Sequence, residues 1–485
     1  MIILLALAAV VATTPLVDAV RQGDVRSVRA LLKTGADVNQ PEGDGATPLH
    51  WAAHGDSIEL VRLLLSAGAS AQAANDLGTT PLHLAAANGN VATLRLLLEK
   101  RADANAAASG VTPLMEASRS GSVDAVRLLL AHGAQVNARE TARGQTALMW
   151  AVSRQHADIV TVLLENKADV HARSQARPVT VMLDRGPRRT VRTAAQDAHQ
   201  IQAGGSTALM FAAQTGSMEA AKLLLAAGAN PNDVGGDGKS ALVMAAFSGQ
   251  TAVATLLLTS GADPNAAGAG YTALHAAALR GDVALVKALL GRGANPHATL
   301  TKGSPVRRFG SQWALSSPFL GATPLVVAAA YLEVPVMRAL LEGGAQADAR
   351  LPNGITALHL AAGAPIEKEA RPSDLARWNI IDSDTPEIPR PADEVTAAVR
   401  VLLDAGANVA HAADSGDTAL HAAAATNQPT AIELLVARGA PLNVKNKIGQ
   451  TPLALTLPRK PEGRGSGFAG YPEAEAMLRK LRALP

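Results

Sequence analysis

A short signature, Thr-Pro-Leu-His and close variants of it, recurs twelve times along this 485-residue chain. Eight of the eleven intervals are 32 to 34 residues long, and the other three are one such interval plus an insertion. A repeat of this length predicts a solenoid, in which each unit buries its apolar face only against neighbouring units. The first residue of the signature falls at Thr14, Thr47, Thr80, Thr112, Thr146, Thr207, Ser240, Thr272, Thr323, Thr356, Thr418 and Thr451.

The composition indicates helices that pack through small side chains. Hydrophobic residues make up 48% of the chain, whereas aromatic residues make up only 2%. The formal net charge of +3 is too small to indicate a nucleic-acid partner by itself. The chain has no cysteine, which excludes disulfides and thiolate metal sites and is compatible with an oxidising compartment.

One repeat, read from Gly78 onward, shows how each unit should fold. Gly78 lies two residues before the signature, and a glycine stands at that offset in all eleven later repeats, which indicates a turn with positive φ. Thr80 suits a helix N-cap, and Pro81 suits the first helical position. Gly89 can end this first helix, and residues 91–99 form a second helix with leucines on one face. Each unit is therefore a helix, a tight turn, a second helix and a hairpin-like loop.

Six other residues replace the glycines that end helices elsewhere, and we expect them in the left-handed conformation. Such a residue costs on the order of 1 kcal/mol, which an array of repeats tolerates at single positions. They are Asp56, Gln155, Leu332 and Asn427 after first helices, and Arg101 and Lys167 after second helices.

These residues closely resemble the ankyrin repeat. The signature reads TPLH at Thr47–His50 and TALH at Thr272–His275, and second helices end in LLLSAGA at Leu63–Ala69 and LLLAHGA at Leu128–Ala134. The resemblance covers roughly residues 13–484 apart from the insertions. It implies an all-α ankyrin-repeat solenoid of stacked helix-turn-helix units with projecting hairpin-like loops. It also implies protein recognition on the concave face, which loop tips and first helices form. Catalysis is rare among proteins of that family.

We expect one continuous array over residues 13–485, with a terminal helix at 472–484 that shields its end. Three insertions interrupt this array, at about 172–204, 299–320 and 363–392.

The insertions differ in charge and carry two of the four tryptophans. The first has six arginines against two aspartates, and the second combines three basic residues with aromatic residues that include Trp313. The third is acidic, contains several prolines and includes Trp378. Each insertion is either a binding element or a tolerated surface loop, and the tryptophans favour binding.

The first twelve residues are apolar throughout and are expected to form a signal peptide. They are too few to span a bilayer, which needs about 20 residues, but they fit a signal-peptide core of about 7–15. No Lys or Arg precedes them, so the alternative is a helix that covers the open end of the first repeat. If these residues are a signal peptide, the protein is expected in the periplasm or outside the cell. If they are not, it is expected in the cytoplasm. No other stretch is apolar enough to cross a membrane.

The sequence predicts no catalytic, cofactor or metal site. GGDGKS at Gly235–Ser240 resembles the end of a phosphate-binding loop, but Gly238 and Ser240 occupy the turn and N-cap positions of the repeat. Five histidines hold the fourth signature position, where the resemblance implies hydrogen bonds to neighbouring loop backbone. Successive copies lie too far apart to share a zinc ion. These histidines are His50, His83, His275, His359 and His421.

A stripe of basic and aromatic residues is the candidate partner-binding surface. Arginine and aromatic residues are enriched at interface hot spots, and a positive field speeds association with an acidic partner. The alternative is an ordinary solvated surface. The candidates are Arg119, Arg143, Arg154, Lys239, Phe247, Tyr271, Arg280 and Tyr331, together with Trp313 and Trp378 in the insertions.

These features predict a monomeric, non-enzymatic scaffold that binds another protein, with an acidic surface on the partner and no small-molecule substrate. The alternative function is binding of an anionic polymer or nucleic acid through the arginine-rich first insertion. That alternative lacks the aromatic residues alternating with basic ones that stacking platforms use.

Overall fold

The structure is a computed structural model that describes residues 14–182, 198–302, 319–365, 390–458 and 470–482. The expected signal peptide at residues 1–12 lies outside the described residues, as do Trp313 and Trp378.

Two compact units divide the chain. The first unit comprises Met1–Ala176 and Gly204–Asn230, and the second comprises Arg177–Ala203 and Pro231–Pro485. Because each unit is described by itself, the expectation of one continuous array stays a prediction.

The first unit consists of helix pairs, one pair for each repeat. Its helices are α1 (Pro15–Arg21), α2 (Val25–Lys33), α3 (Pro48–His54), α4 (Ile58–Ser66), α5 (Pro81–Ala87), α6 (Val91–Glu99), α7 (Pro113–Ser120), α8 (Val123–Ala131), α9 (Ala147–Ser153), α10 (Ala157–Glu165), α11 (Ala208–Thr215) and α12 (Met218–Ala226).

The second unit repeats this pattern and adds an antiparallel pair of strands in the first insertion, β1 (Arg177–Met182) and β2 (Ala198–Ala203), with Arg177 opposite Ala203. Its helices are α13 (Ala241–Ser248), α14 (Thr251–Thr259), α15 (Ala273–Arg280), α16 (Val283–Leu290), α17 (Pro324–Ala330), α18 (Val334–Glu342), α19 (Ala357–Ala362), α20 (Ala392–Asp404), α21 (Ala419–Ala424), α22 (Pro429–Ala437), α23 (Pro452–Thr456) and α24 (Pro472–Lys480).

The predicted helix signals are confirmed at each repeat. All twelve signature residues are N-caps of first helices with extended backbone, and proline holds the first helical turn wherever the signature contains it. In α5 the buried residues include Leu82 and Ala85, and in α6 they include Leu94 and Leu97. The core therefore lies between helices of consecutive repeats, which confirms the all-α repeat solenoid.

Left-handed backbone occurs at the predicted positions. The glycine two residues before the signature has positive φ in each later repeat, for example 78° at Gly78. The six non-glycine residues expected in this conformation adopt it, with φ between 53° at Asn427 and 66° at Lys167. Each costs on the order of 1 kcal/mol.

Each signature histidine connects its own repeat to the next one. The backbone N–H of Thr272 donates to Nδ1 of His275 over 3.3 Å, and Nε2 of His275 lies 3.1 Å from the carbonyl oxygen of Ala322. Because an N–H only donates, Nδ1 is an acceptor, so Nε2 carries the proton and donates to the carbonyl. The same bridge runs from His50 to Thr79, from His83 to Val111, from His359 to Asp417 and from His421 to Gln450.

The bridging rings are neutral because they are buried. Burial lowers the pKa of His275 to about 4, and the hydrogen bond to the Ala322 carbonyl only partly opposes this shift. Burial also lowers the pKa of His359 to about 4. A charged ring would lose the Nδ1 acceptor that the threonine N–H requires. These histidines thus have the loop-bonding role that the resemblance implied.

Asparagine side chains join successive loops on the side of the second helices. In the first unit, Asn105 donates to the carbonyl oxygen of Gly133 over 2.9 Å and accepts from the N–H of Gln135 over 2.7 Å. In the second unit, Asn265 bonds in the same way to Gly293 and Asn295. Each amide therefore satisfies two backbone groups of the next repeat.

The ends of two insertions take part in the core. Phe319, at the end of the second insertion, is fully buried and stacks on Tyr331, with ring centroids 6.1 Å apart. Arg390, at the end of the third, donates from Nη2 to the carbonyl oxygens of Leu360 and Ala361 and so caps α19. Burial lowers the pKa of Arg390 to about 10.

The terminal helix α24 packs on α22 and α23, with Ala474 and Leu478 buried. It ends at Lys480, earlier than the predicted 484, because Arg482 adopts left-handed backbone with φ of 67°. It is therefore the second helix of the last repeat. No helix in the described parts of the chain is both long and apolar enough to cross a bilayer.

We predict that stability falls as the pH is lowered from about 7 to 4. An unfolded histidine with a pKa near 6.5 binds a proton in this range, whereas folded His275 stays neutral down to about pH 4. Protons therefore favour the unfolded chain, by about 2 kcal/mol at pH 5 for this one residue. Urea midpoints followed by circular dichroism at pH 7 and 5 measure the effect.

His275→Gln should be less stable at pH 7 but should lose less stability between pH 7 and 5. His297→Gln, at an exposed ring, is the control and should keep the wild-type pH dependence. Equal pH dependence of all three proteins would contradict the neutral bridge at His275.

Candidate functional site

A stripe of side chains on the first helices stays outside the core of the first unit. The residues four and seven positions after the signature threonine form this first-helix stripe. On α9, for example, Leu148, Met149, Ala151 and Val152 are buried, whereas Trp150 is half-buried and Ser153 is exposed. In the first unit the stripe consists of Asp18, Arg21, Trp51, His54, Leu84, Ala87, Glu116, Arg119, Trp150, Ser153, Phe211 and Gln214.

Where the stripe passes from repeat one to repeat two, three side chains form a closed cluster. Arg21 and the indole N–H of Trp51 both donate to Oε2 of Glu42, each over 2.7 Å. The Arg21 guanidinium also lies 3.8 Å from the centre of the Trp51 ring. The Glu42 side chain is only 3% exposed, so its hydrogen bonds are charge-assisted and shielded from water.

Glu42 is free to reach Trp51 because another residue stabilises its turn. Glu42 opens the turn before the signature, with its N–H donating to the carbonyl oxygen of Ala46 over 2.9 Å. Inside the turn, Oδ1 of Asp44 accepts the N–H of Ala46 over 3.0 Å. The Glu42 carboxylate is therefore not needed by the turn.

The same three residue types recur between repeats four and five, but they do not form the same cluster. The glutamate is shifted by one position, because Glu42 lies five residues before Thr47 and Glu140 lies six residues before Thr146. Arg119 and Trp150 stand at the offsets of Arg21 and Trp51, and Glu140 opens the turn as Glu42 does. Glu140, however, turns its carboxylate back onto its own turn. It accepts the N–H groups of Ala142, Arg143 and Gln145 over 2.6, 2.8 and 3.0 Å.

A pocket of about 230 Å³ lies where the second cluster would form, lined by Arg119, Gln145, Trp150, Ser153 and Arg154. The indole nitrogen of Trp150 is buried and has no hydrogen-bond acceptor. Arg119 donates from Nε and Nη2 to Glu116 on its own helix, over 2.8 and 2.6 Å. Among the residues that the structure describes, no acceptor or acid is found for the Arg154 guanidinium. The pocket is therefore lined by two guanidinium groups and by a tryptophan whose indole N–H is unpaired in that part of the chain.

The structure brings together only part of the predicted stripe. Arg119 and Arg154 line one pocket, and Arg143 is exposed on the adjoining turn. In the second unit, Lys239 pairs with Asp237 over 2.8 Å, and Arg280 donates to the carbonyl oxygen of Phe247 over 3.1 Å. Partner binding by these residues stays a prediction.

Two tyrosines of the predicted stripe are corrected to core residues. Tyr271 is 1% exposed and lies against Phe247, with ring centroids 6.0 Å apart. Burial raises the pKa of its hydroxyl. Tyr331 is fully buried by its stacking on Phe319. Aromatic packing therefore removes both side chains from the surface.

In repeats eight to ten of the second unit, the side chains at the first-helix stripe positions are not accessible at the surface. Its positions there are apolar and buried: Ala276, Leu279, Val327, Ala330 and Leu360. Trp313 and Trp378, also predicted to bind a partner, lie outside the described residues.

Sequence reasoning missed the tryptophans that matter most. Trp51 and Trp150 both stand four residues after a signature threonine, and Arg21 and Arg119 stand seven residues after the preceding one. This shared spacing was the available signal. It places each arginine beside a tryptophan of the next repeat.

The segment that resembles a phosphate-binding loop belongs to a repeat. Gly238 has φ of 80°, and Ser240 caps α13, so both belong to the repeat turn. Over the described ranges, no group of three or more His, Cys, Asp or Glu side chains is placed to hold a metal ion.

Comparison with known proteins places the chain in a family. Models described as ankyrin repeats match residues 16–108, 103–174, 182–268, 209–300 and 402–455. These segments cover more than half of the chain, which therefore belongs to the ankyrin-repeat family. Ankyrin repeats generally mediate protein–protein interaction, and the proteins that contain them are typically non-enzymatic.

One curated relative shares a short segment with this chain. Protein PhlB of Serratia liquefaciens is 44% identical over 61 residues. That segment is 12% of this chain and 27% of PhlB, so the similarity does not extend to the whole protein.

We predict that Glu42→Gln loosens the first two repeats. The change removes the charge that two donors share in a buried site and should cost about 1–3 kcal/mol. Amide hydrogens of residues 15–66 should then exchange about 5- to 150-fold faster, as measured by hydrogen-exchange mass spectrometry.

Glu59→Gln is the matched control. Glu59 pairs with Arg29 in the same two repeats, but both side chains are 59% exposed. Loss of this exposed ion pair should change the amide hydrogen-exchange rates by less than about threefold. Equal effects of the two substitutions would contradict a structural role for the Glu42 cluster.

Proposed function

We propose that this chain is a non-enzymatic protein-interaction scaffold whose partner binds the first-helix stripe of the first unit, around Arg119, Trp150 and Arg154. Trp150 and Arg119 of this stripe line one pocket with the neighbouring Arg154, and an aromatic ring with two arginines in a concave site has the residue types and the shape of interface hot spots.

The observation that carries this proposal is the contrast along the stripe. At Trp51 the donors already have a carboxylate of the chain, whereas at Trp150 the same donors line an open pocket. A buried indole N–H without an acceptor costs about 1–3 kcal/mol, and a partner that supplies an acceptor would recover it. The stripe positions of repeats eight to ten offer no comparable opening because they are buried.

The charge around the pocket favours a partner with an acidic surface. Glu116 pairs with Arg119, but Arg154 has no acidic neighbour in the described residues, and Arg143 on the adjoining turn is exposed. The resulting positive field would raise the association rate with an acidic protein, and added salt would reduce it. We also propose that the chain acts as a monomer.

Photo-cross-linking locates the surface, and affinity measurement then tests it. A photoreactive amino acid at Ser153, beside the pocket, should cross-link the native partner, whereas one at Arg127, exposed on α8, should not. With that partner purified, Arg119→Ala combined with Arg154→Ala should weaken binding at least about tenfold, because each arginine contributes of the order of 1 kcal/mol or more.

Arg62→Ala combined with Arg95→Ala is the matched control, because it removes the same charge from exposed positions on α4 and α6. It should leave affinity within about twofold. Equal affinity of the two double variants, or cross-linking only from Arg127, would reject the proposed surface.

Binding of an anionic polymer through the first insertion remains the alternative function. It predicts retention on heparin that falls steeply with salt and that the Arg119 and Arg154 substitutions leave unchanged. Loss of retention on deletion of residues 177–203, with the protein partner still bound, would favour this alternative.

We further propose that the chain is exported. The apolar run at residues 1–12 supports this proposal, because it has the length of a signal-peptide core. Expression in a bacterial host should give a periplasmic or secreted protein whose first residue, read by mass spectrometry, lies close after Ala12. A cytoplasmic product that retains residues 1–12 would contradict export.

A further inference from the structure

We propose that the pocket at Trp150 receives the side-chain carboxylate of a glutamate from the partner protein, in the position that Glu42 occupies at Trp51. This inference rests on the proposed function and specifies the chemistry of its central contact. The chain itself provides the template, because repeat two shows how these side chains hold a carboxylate.

The donors of the template recur in the pocket. In repeat two, one carboxylate oxygen accepts from an indole N–H and from a guanidinium, each over 2.7 Å. In repeat five, Trp150 offers the indole N–H, and Arg119 stands at the position of Arg21. Glu116 engages Nε and Nη2 of Arg119, which leaves other guanidinium N–H groups to donate. Arg154 adds a second guanidinium at the same pocket.

Within the described part of the first unit, the two carboxylates beside the pocket are already engaged. Glu140 is held by three backbone N–H groups of its own turn, and Glu116 is held by Arg119. The turn of repeat five differs from that of repeat two in two ways. It is one residue longer, because Glu140 lies four residues before Gly144 whereas Glu42 lies three residues before Gly45. It also differs in the residue that precedes the glycine. Asp44 precedes Gly45 and caps that turn, whereas Arg143 precedes Gly144 and has no acceptor to offer. Glu140 must therefore cap the turn, and the site at Trp150 stays open.

The lining selects an anionic acceptor over other groups. The hydroxyl of Ser153 already donates to the carbonyl oxygen of Met149 over 2.6 Å, so the side-chain donors that remain are the indole, the amide of Gln145 and the guanidinium groups. A partner's lysine or arginine would meet like charge. A neutral amide would receive an uncharged hydrogen bond from the indole and would bring no negative charge to the guanidinium groups. Charge-assisted bonds are roughly twice as strong as neutral ones.

Nuclear magnetic resonance of the tryptophan indole groups tests the assignment on the full chain. Each of the four tryptophans gives one indole N–H signal, which single Trp→Phe substitutions assign. The probe is N-acetylglutamate N-methylamide, which carries only a side-chain carboxylate, added at constant ionic strength. The Trp150 signal should move downfield and saturate, with a Kd of about 10 mM for so small a ligand. The Trp51 signal should stay in place because Glu42 already occupies its site.

Two further probes identify the source of the carboxylate. N-acetylglutamine N-methylamide is the neutral isostere and should bind at least about tenfold more weakly. N-acetylglycine carries a main-chain carboxylate. If it binds more tightly than the glutamate probe, the pocket receives a chain terminus rather than a glutamate side chain, and the assignment is overturned. Equal binding of the acid and its amide, or an immobile Trp150 signal, would overturn it as well.

Substitution of Arg154 tests whether its positive charge contributes to binding of the carboxylate. Arg154→Gln should weaken binding of the acidic probe at least about threefold, with the Trp51 signal unchanged as proof of folding. Unchanged binding of the probe would show that Arg154 does not contribute to the site.

The two proposals can fail separately. If the probe fails to bind but binding of a protein partner still depends on Arg119 and Arg154, the proposed pocket chemistry is wrong and the scaffold function stands. If the probe binds but substitution of both arginines leaves the affinity for the partner unchanged, the carboxylate site stands and the proposed interaction surface is wrong.

Discussion

The stacking of repeats depends on backbone groups that one repeat alone leaves unpaired. At five signatures a buried imidazole solves this problem, because Nδ1 accepts the threonine N–H and Nε2 donates to a carbonyl of the next repeat. The ring must be neutral to do both, and its burial keeps it neutral. On the opposite side, asparagines such as Asn105 and Asn265 also join successive loops.

The regular scaffold allows a small local change to open a site. An arginine and a tryptophan stand at matching positions where repeat one meets repeat two and where repeat four meets repeat five, and a glutamate opens the turn between them in both places. In repeat two Asp44 caps the turn, and Glu42 joins Arg21 and Trp51. In repeat five the glutamate caps the turn itself, Arg119 pairs with Glu116, and the indole N–H of Trp150 has no acceptor among the described residues. The same geometry therefore serves stability in one repeat and offers a binding pocket in another.

Much of the fold was predictable because it depends on local rules that recur every 33 residues or so. N-caps and left-handed residues such as Leu332 and Lys167 follow from spacing, whereas the role of the signature histidines came from the resemblance to ankyrin repeats. Side-chain direction was less predictable. Tyr271 and Tyr331 enter the core because Phe247 and Phe319 offer rings to pack against, and those contacts join residues far apart in sequence. The pocket at Trp150 depends on which way Glu140 turns, and that direction follows from the backbone geometry of its turn.

A spectrum that correlates ring protons with both nitrogens of each histidine, recorded at pH 7, tests the bridge between repeats most directly. Neutral rings protonated at Nε2 are expected for His50, His83, His275, His359 and His421, since each Nδ1 accepts from a threonine N–H. Rings protonated at Nδ1, or charged rings with two equivalent nitrogen shifts, would contradict the way in which these repeats are joined.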